Sequence, residues 1–416
     1  MTASLASATP LPGGTVLRRQ LKRAERRRKL GAAMLVAPLF LFLLVFFVLP
    51  IGSMLIKSFD NSEMRQAMPQ AAQAMRDWAG EGVPPEPVVA AVAQGMRASF
   101  KDRSLASFAK RLNYEDAGWR SFIFATARKL PEKPEGSWLA TLVEIDPRWE
   151  DPGTWAAIKR ASAELTDYYL LTAVDLKRDA QNAIVGVQAD QAIYLDILGR
   201  TFWIAGMVTL ACLLLAYPLA YKLATLPPRT ANLLMILVLL PFWTSLLVRT
   251  GAWVVLLQRE GLLNQALQWL GLTSEPLQLV YNRFGVYVAM IHILLPFMIL
   301  PLYSVMRGIP PVYMRAAALL GARPSLAFVR VYLPLTMPGV GAGCMLVFIM
   351  ALGYYITPAL VGGASDQMLS YFVAFFTIQT VNWGMAASLG SLLLVSTLLL
   401  YWVYARLVGI DRMRLG

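Results

Sequence analysis

The sequence contains one histidine and only two cysteines among its 416 residues. Cys212 and Cys344 both fall inside apolar runs, which excludes a disulfide framework of the secreted type and predicts inert packing. His292 also lies in an apolar run, whereas metal sites and proton relays normally recruit several ligands or partners. We therefore expect no metal site, and a structural role for His292.

Nucleotide-binding signatures are also missing. The chain has no G-x-x-x-x-G-K-[ST] segment and no Gly-Lys pair, so it cannot form its own P-loop ATPase site. The glycines of residues 339–343 do not fit a dinucleotide-binding fingerprint, because no strand precedes them and no downstream acid fits. No apolar segment groups paired acids, several histidines, or a nucleophile with a base, which argues against an intramembrane enzyme.

What the chain has in excess is apolar residues and positive charge. Hydrophobic residues make up 57% of the chain, which is typical of a polytopic membrane protein. Residues 57–190 hold 17 Lys and Arg against 19 Asp and Glu, which leaves 21 basic and 6 acidic residues for the rest of the chain. The net charge of +13 therefore belongs to the membrane part, and we expect no nucleic-acid partner.

Six apolar runs are long enough to cross about 30 Å of hydrocarbon as helices. They cover residues 30–56, 197–219, 231–256, 284–306, 339–360 and 385–407. The sequence predicts an all-α polytopic membrane protein with one transmembrane helix at residues 31–57 and a core of five more at residues 196–416. The glycines of residues 339–343 predict close approach between neighbouring helices.

The basic residues predict the topology through the positive-inside rule. Residues 1–30 form a tail that ends in a dense basic cluster, for which nucleic-acid binding is the alternative to lipid headgroups. The cluster consists of Arg18, Arg19, Lys22, Arg23, Arg26, Arg27, Arg28 and Lys29. Further basic residues lie in alternate loops and at the C-terminus: Lys222, Arg229, Arg307, Arg315, Arg323, Arg330, Arg406, Arg412 and Arg414. Both termini are predicted to be cytoplasmic.

Residues 58–195 form a large insert between the first two spans, on the opposite, extracytoplasmic side of the membrane. Apolar residues recur at three-to-four spacing in residues 87–112 and 154–176, which favours helices over strands. The insert groups no nucleophile with a base and no metal ligands. We expect a helical module that binds or docks a partner rather than an enzyme domain.

Residues 313–340 are too charged to lie in lipid and too patterned for a loose linker. Pro310 and Pro311 suit the first turn of a helix, which we predict over residues 312–320. Gly321 can end that helix in the left-handed conformation, and Pro324 can open a second short helix. Leu319, Leu320, Phe328 and Val331 are expected to anchor the stretch against the membrane helices.

This stretch resembles the cytoplasmic "EAA" loop of permease subunits of binding-protein-dependent ABC importers. The pattern is E-A-A, three residues, G, then a hydrophobic stretch that ends in L-P and P-G. The resemblance implies that the matching positions in the coupling loop 312–340 couple the chain to the ATPase. They are Arg315, Ala316, Ala317, Gly321, Ala322, Phe328, Leu333, Pro334, Pro338 and Gly339. Arg315 departs from the pattern, which has Glu there.

Three further pieces resemble the spermidine/putrescine branch of this family: PFWTSLLVRTGAWVVLLQREGLLN at residues 241–264, ALGYYITPALVGG at 351–363 and VNWGMAAS at 381–388. The resemblance implies a multi-pass subunit of the bacterial inner membrane that binds no cofactor itself. Its implied partners are two copies of a cytoplasmic ATPase that uses ATP, a second permease subunit (self or sister), a periplasmic substrate-binding protein and the lipid bilayer. The implied substrate is a small solute, with polyamines first and opines, other amines or organophosphonates as alternatives.

The five later spans contain no acidic side chain, so a cationic substrate has no obvious buried carboxylate partner there. Candidate residues for a substrate path are Trp243, Arg249, Trp253, Tyr354, Tyr355, Asn382 and Trp383, for which interfacial anchoring is the alternative. A membrane receptor that uses the insert as its input domain is the alternative function. Five additional spans and the lack of a cytoplasmic output domain weigh against that interpretation.

Overall fold

The structure is a computed structural model that describes residues 14–134, 136–179 and 182–408. The start of the predicted basic tail, residues 1–13, and the C-terminal residues 409–416 with Arg412 and Arg414 lie outside the described residues. The chain divides after Ile56 into two compact units.

The first unit is a long apolar helix. Helix α1 (Gly14–Leu43) continues through a π-helical segment (Leu44–Val48) into α2 (Leu49–Lys57). The stretch Arg23–Lys57 is 35 residues long and apolar enough to cross a membrane, and it includes the first predicted span at residues 31–57.

The second unit begins with the insert, which is mostly helical. Its helices are α3 (Glu63–Ala67), α4 (Pro69–Asp77), α5 (Glu86–Lys101), α6 (Leu105–Glu115), α7 (Trp119–Lys129), α8 (Trp138–Ile145), α9 (Pro152–Ser162) and α10 (Tyr168–Ala173), with a 3₁₀ turn at Pro147–Glu150. Two short antiparallel strands follow, β1 (Leu176–Arg178) and β2 (Ile184–Gly186). The two segments expected to be helical are each divided, because turns at residues 102–104 and 163–167 interrupt the apolar pattern.

The insert has its own apolar core, built around two tryptophans. Trp149 and Trp155 are fully buried, and both indole N–H groups are satisfied. Trp149 donates to Oγ1 of Thr126 at 3.1 Å, and Trp155 donates to the Trp149 carbonyl at 2.8 Å. Asp151 caps α9 by accepting from the Gly153 amide at 3.0 Å. Burial of such large rings with their polar atoms paired stabilises the insert as a packed structure.

The remaining helices form the membrane part of the second unit. They are α11 (Tyr194–Thr225), α12 (Pro228–Leu239), α13 (Leu246–Leu257), α14 (Leu262–Trp269), α15 (Arg283–Arg307), α16 (Val312–Leu319), α17 (Pro324–Ala327), α18 (Leu333–Gly353), α19 (Ile356–Val361), α20 (Leu369–Ile378) and α21 (Trp383–Val408). Short 3₁₀ segments lie at Leu240–Trp243 and Ala364–Asp366, and a π-helical turn lies at Phe328–Tyr332. The described part of the chain is thus all-α apart from one small hairpin, as predicted.

Five helices in the described part of the chain are long and apolar enough to cross a membrane. The predicted span at residues 231–256 is not a straight helix, because Pro228–Trp243 and Leu246–Trp269 meet at a bend of 94°. Counting this pair as one span gives six. The bend follows from Pro241, which lacks an amide hydrogen, and from Ser245, whose hydroxyl caps a new helix by accepting from the Val248 amide.

Helices α11, α15 and α18 pack together around a shared apolar core. A Cβ on Gly339 of α18 would lie 3.0 Å from Cβ of Val305 and 3.2 Å from the Pro301 carbonyl oxygen, both on α15. A Cβ on Gly343 would lie 2.7 Å from Sδ of Met298. The close approach predicted from these glycines is confirmed, because side chains larger than hydrogen would push the two helices apart.

The fifth predicted span is displaced toward the N-terminus. The apolar helix runs over Pro324–Gly353, so it ends at Gly353 rather than at residue 360, and its last segment, α18, begins at Leu333. Leu333 and Pro334 therefore form the first turn of α18, and Pro338 and Gly339 lie within it. The coupling loop predicted over residues 312–340 therefore overlaps α18, because proline is tolerated in a first turn and nearby helices support a proline inside a membrane helix.

Candidate functional site

The charged stretch forms a short helix that ends in a well-defined turn. Helix α16 spans Val312–Leu319, within one residue of the prediction. Gly321 has a φ of +83°, its amide donates to the Ala318 carbonyl at 3.0 Å, and the Ala322 amide donates to the Ala317 carbonyl at 3.0 Å. These two bonds define a Schellman motif, in which glycine satisfies the left-handed position. The predicted role of Gly321 in ending the helix is confirmed.

The C-terminal end of this helix is exposed and apolar. The side chains of Leu319 and Leu320 are 90% and 89% exposed, so the expectation that they anchor the stretch against the membrane helices is wrong. Arg315 and Ala316 are also exposed, whereas Ala317 is buried. A short helix that presents two leucines beside small residues offers a surface for a partner that approaches closely.

Phe328 connects the stretch to the membrane helices through an aromatic cluster. Its ring stacks on Tyr332 at 5.6 Å and meets the edges of Tyr221 at 5.6 Å and Tyr217 at 6.2 Å. The Tyr217 hydroxyl shares a hydrogen bond with Oγ1 of Thr336 at 3.0 Å. The anchoring role of Phe328 is confirmed. The tyrosine partners were missed, although Tyr217 and Tyr221 are four residues apart and so share one helix face.

Three of the predicted path residues, Arg249, Trp253 and Tyr354, lie near one another beside α13. Trp253 donates its indole N–H to Nδ1 of His292 at 3.1 Å. Arg249 acts electrostatically on both His292 and Tyr354, and its Nε is enclosed without a hydrogen-bond partner in the described part of the chain. Sequence reasoning missed His292 as a member of this group, since a lone histidine in an apolar run carries no pairing signal.

A second contact joins α13 to α19. Oγ1 of Thr250 on α13 lies 3.2 Å from Oγ1 of Thr357 on α19, and both residues are fully buried. The carbonyl of Tyr354, between α18 and α19, accepts from the Ser370 hydroxyl at 2.7 Å. The interrupted helix α12–α13 and the interrupted helix α18–α19 are thus held together. Interrupted helices in membrane proteins commonly line a path, because their free backbone groups need polar surroundings.

The other predicted path residues lie elsewhere or have another role. Trp243 is 85% exposed, and Tyr355 is half-buried at the start of α19. Asn382 is buried and caps α21 by accepting from the Met385 amide at 3.1 Å. Trp383 is the first residue of α21 and is about half exposed. The cap gives Asn382 a structural explanation.

Acidic side chains in the described core after residue 196 are confined to Glu260, Glu275 and Asp366. Asp366 is buried and pairs with Arg283 through an Nε to Oδ1 distance of 2.9 Å. Close by, Arg200 donates from Nε to the Gln367 carbonyl at 3.0 Å. No group of three or more His, Cys, Asp or Glu residues suited to a metal occurs among the described residues.

Known proteins resemble about half of this chain. No protein-family model matches. The spermidine/putrescine transport system permease protein PotB of Escherichia coli is 37% identical over 220 residues, which cover 52% of this chain and 80% of that protein. The inner membrane ABC transporter permease protein YdcU of Escherichia coli is 34% identical over 181 residues, which cover 40% of this chain and 57% of that protein.

Among solved structures, a bacterial ABC transporter involved in the import of alginate aligns with a TM-score of 0.46 at 16% identity, over 53% of this chain and 80% of that chain. The similarity to the permease proteins confirms the resemblance found in the sequence, and with it the prediction of a transporter subunit rather than an enzyme. The chain belongs to the spermidine/putrescine-type permease proteins of ABC importers.

Proposed function

We propose that this chain passes a small solute from a periplasmic binding protein to the cytoplasm, driven by ATP hydrolysis on a separate subunit. Polyamines are the first substrate class, because the relative that matches over most of its own length is a spermidine/putrescine permease. In this proposal the chain binds no cofactor, two ATPase subunits use ATP, and a second permease subunit completes the path. The chain lies in the inner membrane with both termini in the cytoplasm.

The observation that carries the proposal is the exposed apolar end of α16. Leu319 and Leu320 are exposed, the Schellman turn at Gly321 fixes the direction of the chain, and Phe328 packs against Tyr221 of α11. A helix held in this way can act as a rigid lever between an ATPase and the membrane helices. The matching positions Arg315, Ala316, Ala317, Gly321 and Ala322 form the proposed contact.

Substitution of Gly321 tests the lever. Valine at φ +83° costs about 1–2 kcal/mol, equivalent to about a tenfold change in an equilibrium constant. We expect Gly321→Val to remain in the membrane but to lose ATPase co-purification and ATP-dependent uptake. Gly321→Asn is the matched control, because asparagine tolerates the left-handed conformation and should preserve both. Unchanged uptake in Gly321→Val would contradict the proposal.

Arg315 tests the charge of the partner surface. It is exposed on α16 where the family pattern has Glu, so the ATPase groove facing it should carry a compensating acid. Arg315→Glu should then weaken coupling between ATP hydrolysis and uptake, whereas Arg315→Lys should largely preserve it. A gain in uptake on Arg315→Glu would contradict this reasoning.

A further inference from the structure

The insert packs against the membrane helices of its own chain. Tyr169 of α10 is buried, and its ring lies over Gly384, so close that a Cβ at position 384 would overlap three ring atoms. Ala173 joins Tyr169 in an apolar cluster with residues of α11, α20 and α21, namely Ile197, Leu369, Met385 and Leu389. The insert and the membrane helices therefore share buried apolar surface, which favours their staying together.

A charged contact lies beside this cluster. Nζ of Lys110 on α6 donates to the Thr380 carbonyl at 2.7 Å, where the chain turns between α20 and α21. The next residue, Val381, has a φ of +51°, a strained conformation for a β-branched side chain. An ammonium at the carboxyl end of α20 satisfies a free carbonyl and complements the helix dipole. The insert thus supports a turn that is costly to form alone.

The insert also holds the start of α11. The carboxylate of Asp175 accepts hydrogen bonds from the amides of Ile193 and Tyr194 at 3.0 Å and of Leu195 at 2.8 Å. The first amides of a helix have no partner within the helix, and a carboxylate there also favours the dipole. One helix end is therefore satisfied by an insert carboxylate and another by an insert ammonium.

We propose that the insert is a brace of the permease: Lys110, Tyr169 and Asp175 hold the extracytoplasmic ends of α11 and the α20–α21 turn as one body throughout the transport cycle. The competing idea is a lid that swings away from the membrane helices when the path opens. The two differ in a measurable way, because a brace tolerates a permanent link to the turn and a lid does not. The transport readout rests on the proposed function, whereas the structural readout does not.

Cross-linking separates brace from lid. The test variant carries Lys110→Cys and Val381→Cys in a chain whose native Cys212 and Cys344 are replaced by alanine. A flexible, reducible thiol reagent then joins the two introduced cysteine side chains in the assembled transporter. Val381 is about half exposed, so its position is reachable. We expect the linked form to keep uptake within about twofold of the unlinked double variant. Loss of uptake that returns when the linker is reduced would overturn the proposal, and each single-cysteine variant controls for modification alone.

Hydrogen exchange tests the brace without transport. In the purified full chain, Lys110→Met should speed exchange of the amides at residues 382–385 by about tenfold, whereas Lys110→Arg keeps a donor and should preserve their protection. Gly384→Ala should also speed exchange of these amides, because the added methyl group displaces the Tyr169 ring. Tyr169→Leu should restore their protection in the Gly384→Ala background by making room for that methyl group. Wild-type exchange in both Lys110→Met and Gly384→Ala would overturn the brace. Normal protection without uptake would count against the proposed function only.

Discussion

Arg111 offers a sharp test of what holds the insert together. It is 1% exposed on α6, yet each nitrogen of its guanidinium has a partner. Nε donates to Oδ1 of Asn61 at 2.9 Å, one terminal nitrogen to Oε1 of Glu115 at 3.0 Å, and the other to Oγ1 of Thr166 at 3.3 Å. The guanidinium also lies 4.8 Å from the ring centre of Tyr168. These bonds join α6 to chain segments about 50 residues away on either side.

The charge of Arg111 is maintained despite its burial. Burial by itself lowers the pKa of Arg111, but the carboxylate of Glu115 and smaller contributions from other groups outweigh it, so the pKa is raised. Arg111→Met removes one partner of a buried pair, and such removal typically costs about 3–5 kcal/mol. Glu115 keeps a second partner, since its Oε2 lies 3.0 Å from Nη2 of Arg160, which places the expected cost near 3 kcal/mol.

Arg148 supplies the matched control. It pairs with Asp146 at 2.7 Å, but its side chain is 55% exposed, and pairs of this kind contribute about 0–1 kcal/mol. Hydrogen exchange of the α6 amides in the full chain measures the free energy of opening for the insert. We expect a reduction of about 3 kcal/mol in Arg111→Met and below 1 kcal/mol in Arg148→Met. Equal effects would refute the reasoning that the buried network governs stability.

Two further predictions concern buried polar groups. Burial raises the pKa of Glu63 above its usual 4.5, although the charge of Arg111 opposes this change. The stabilising contribution of protonated Glu63 is therefore present below about pH 4.5 and is lost as the pH rises through the higher pKa of the folded state. Glu63→Gln should therefore raise the insert's opening free energy at pH 7 but not at pH 4, by about 1.4 kcal/mol for each pH unit between the unfolded and folded pKa of Glu63; an equal gain at both pH values contradicts this. Trp253→Phe leaves Nδ1 of His292 without its donor, and should cost about 1–3 kcal/mol in thermal stability of the membrane helices, whereas Trp243→Phe, at an exposed site, should cost little.

Hydropathy predicted the membrane helices well because burial in lipid depends on composition summed over about 20 residues. The bend before α13 was missed for the same reason, since residues on both sides of it are equally apolar. The local signal was present in Pro241 and Ser245, a proline without an amide hydrogen and a helix-capping hydroxyl four residues later. The direction of a membrane helix, unlike its burial in lipid, is set by a few backbone hydrogen bonds.

The coupling stretch shows the same division between local and tertiary causes. The turn at Gly321 was predictable because a left-handed residue is a property of the chain itself. The orientation of Leu319 and Leu320 was not, since an amphipathic sequence does not state whether its apolar face meets its own chain or a partner. Phe328 was correctly expected to face inward, but its partners Tyr217 and Tyr221 lie more than 100 residues away in sequence.

The contacts between insert and core were beyond sequence reasoning because each joins distant positions through a single side chain. Nothing in the sequence distinguishes Lys110 from the other charges of the insert, and its carbonyl partner on Thr380 is 270 residues away. The sequence predicted a helical module that binds or docks a partner, yet ammonium and carboxylate groups of the insert also satisfy helix ends of the membrane part. Because those helix ends would otherwise be satisfied by water, removal of the insert should leave α11 and α21 in the membrane but loosen their ends. Protease sensitivity confined to residues 378–384 in an insert-deleted chain, with the spans still protected, is the expected result, and full protection of that turn would show that the core supports it alone.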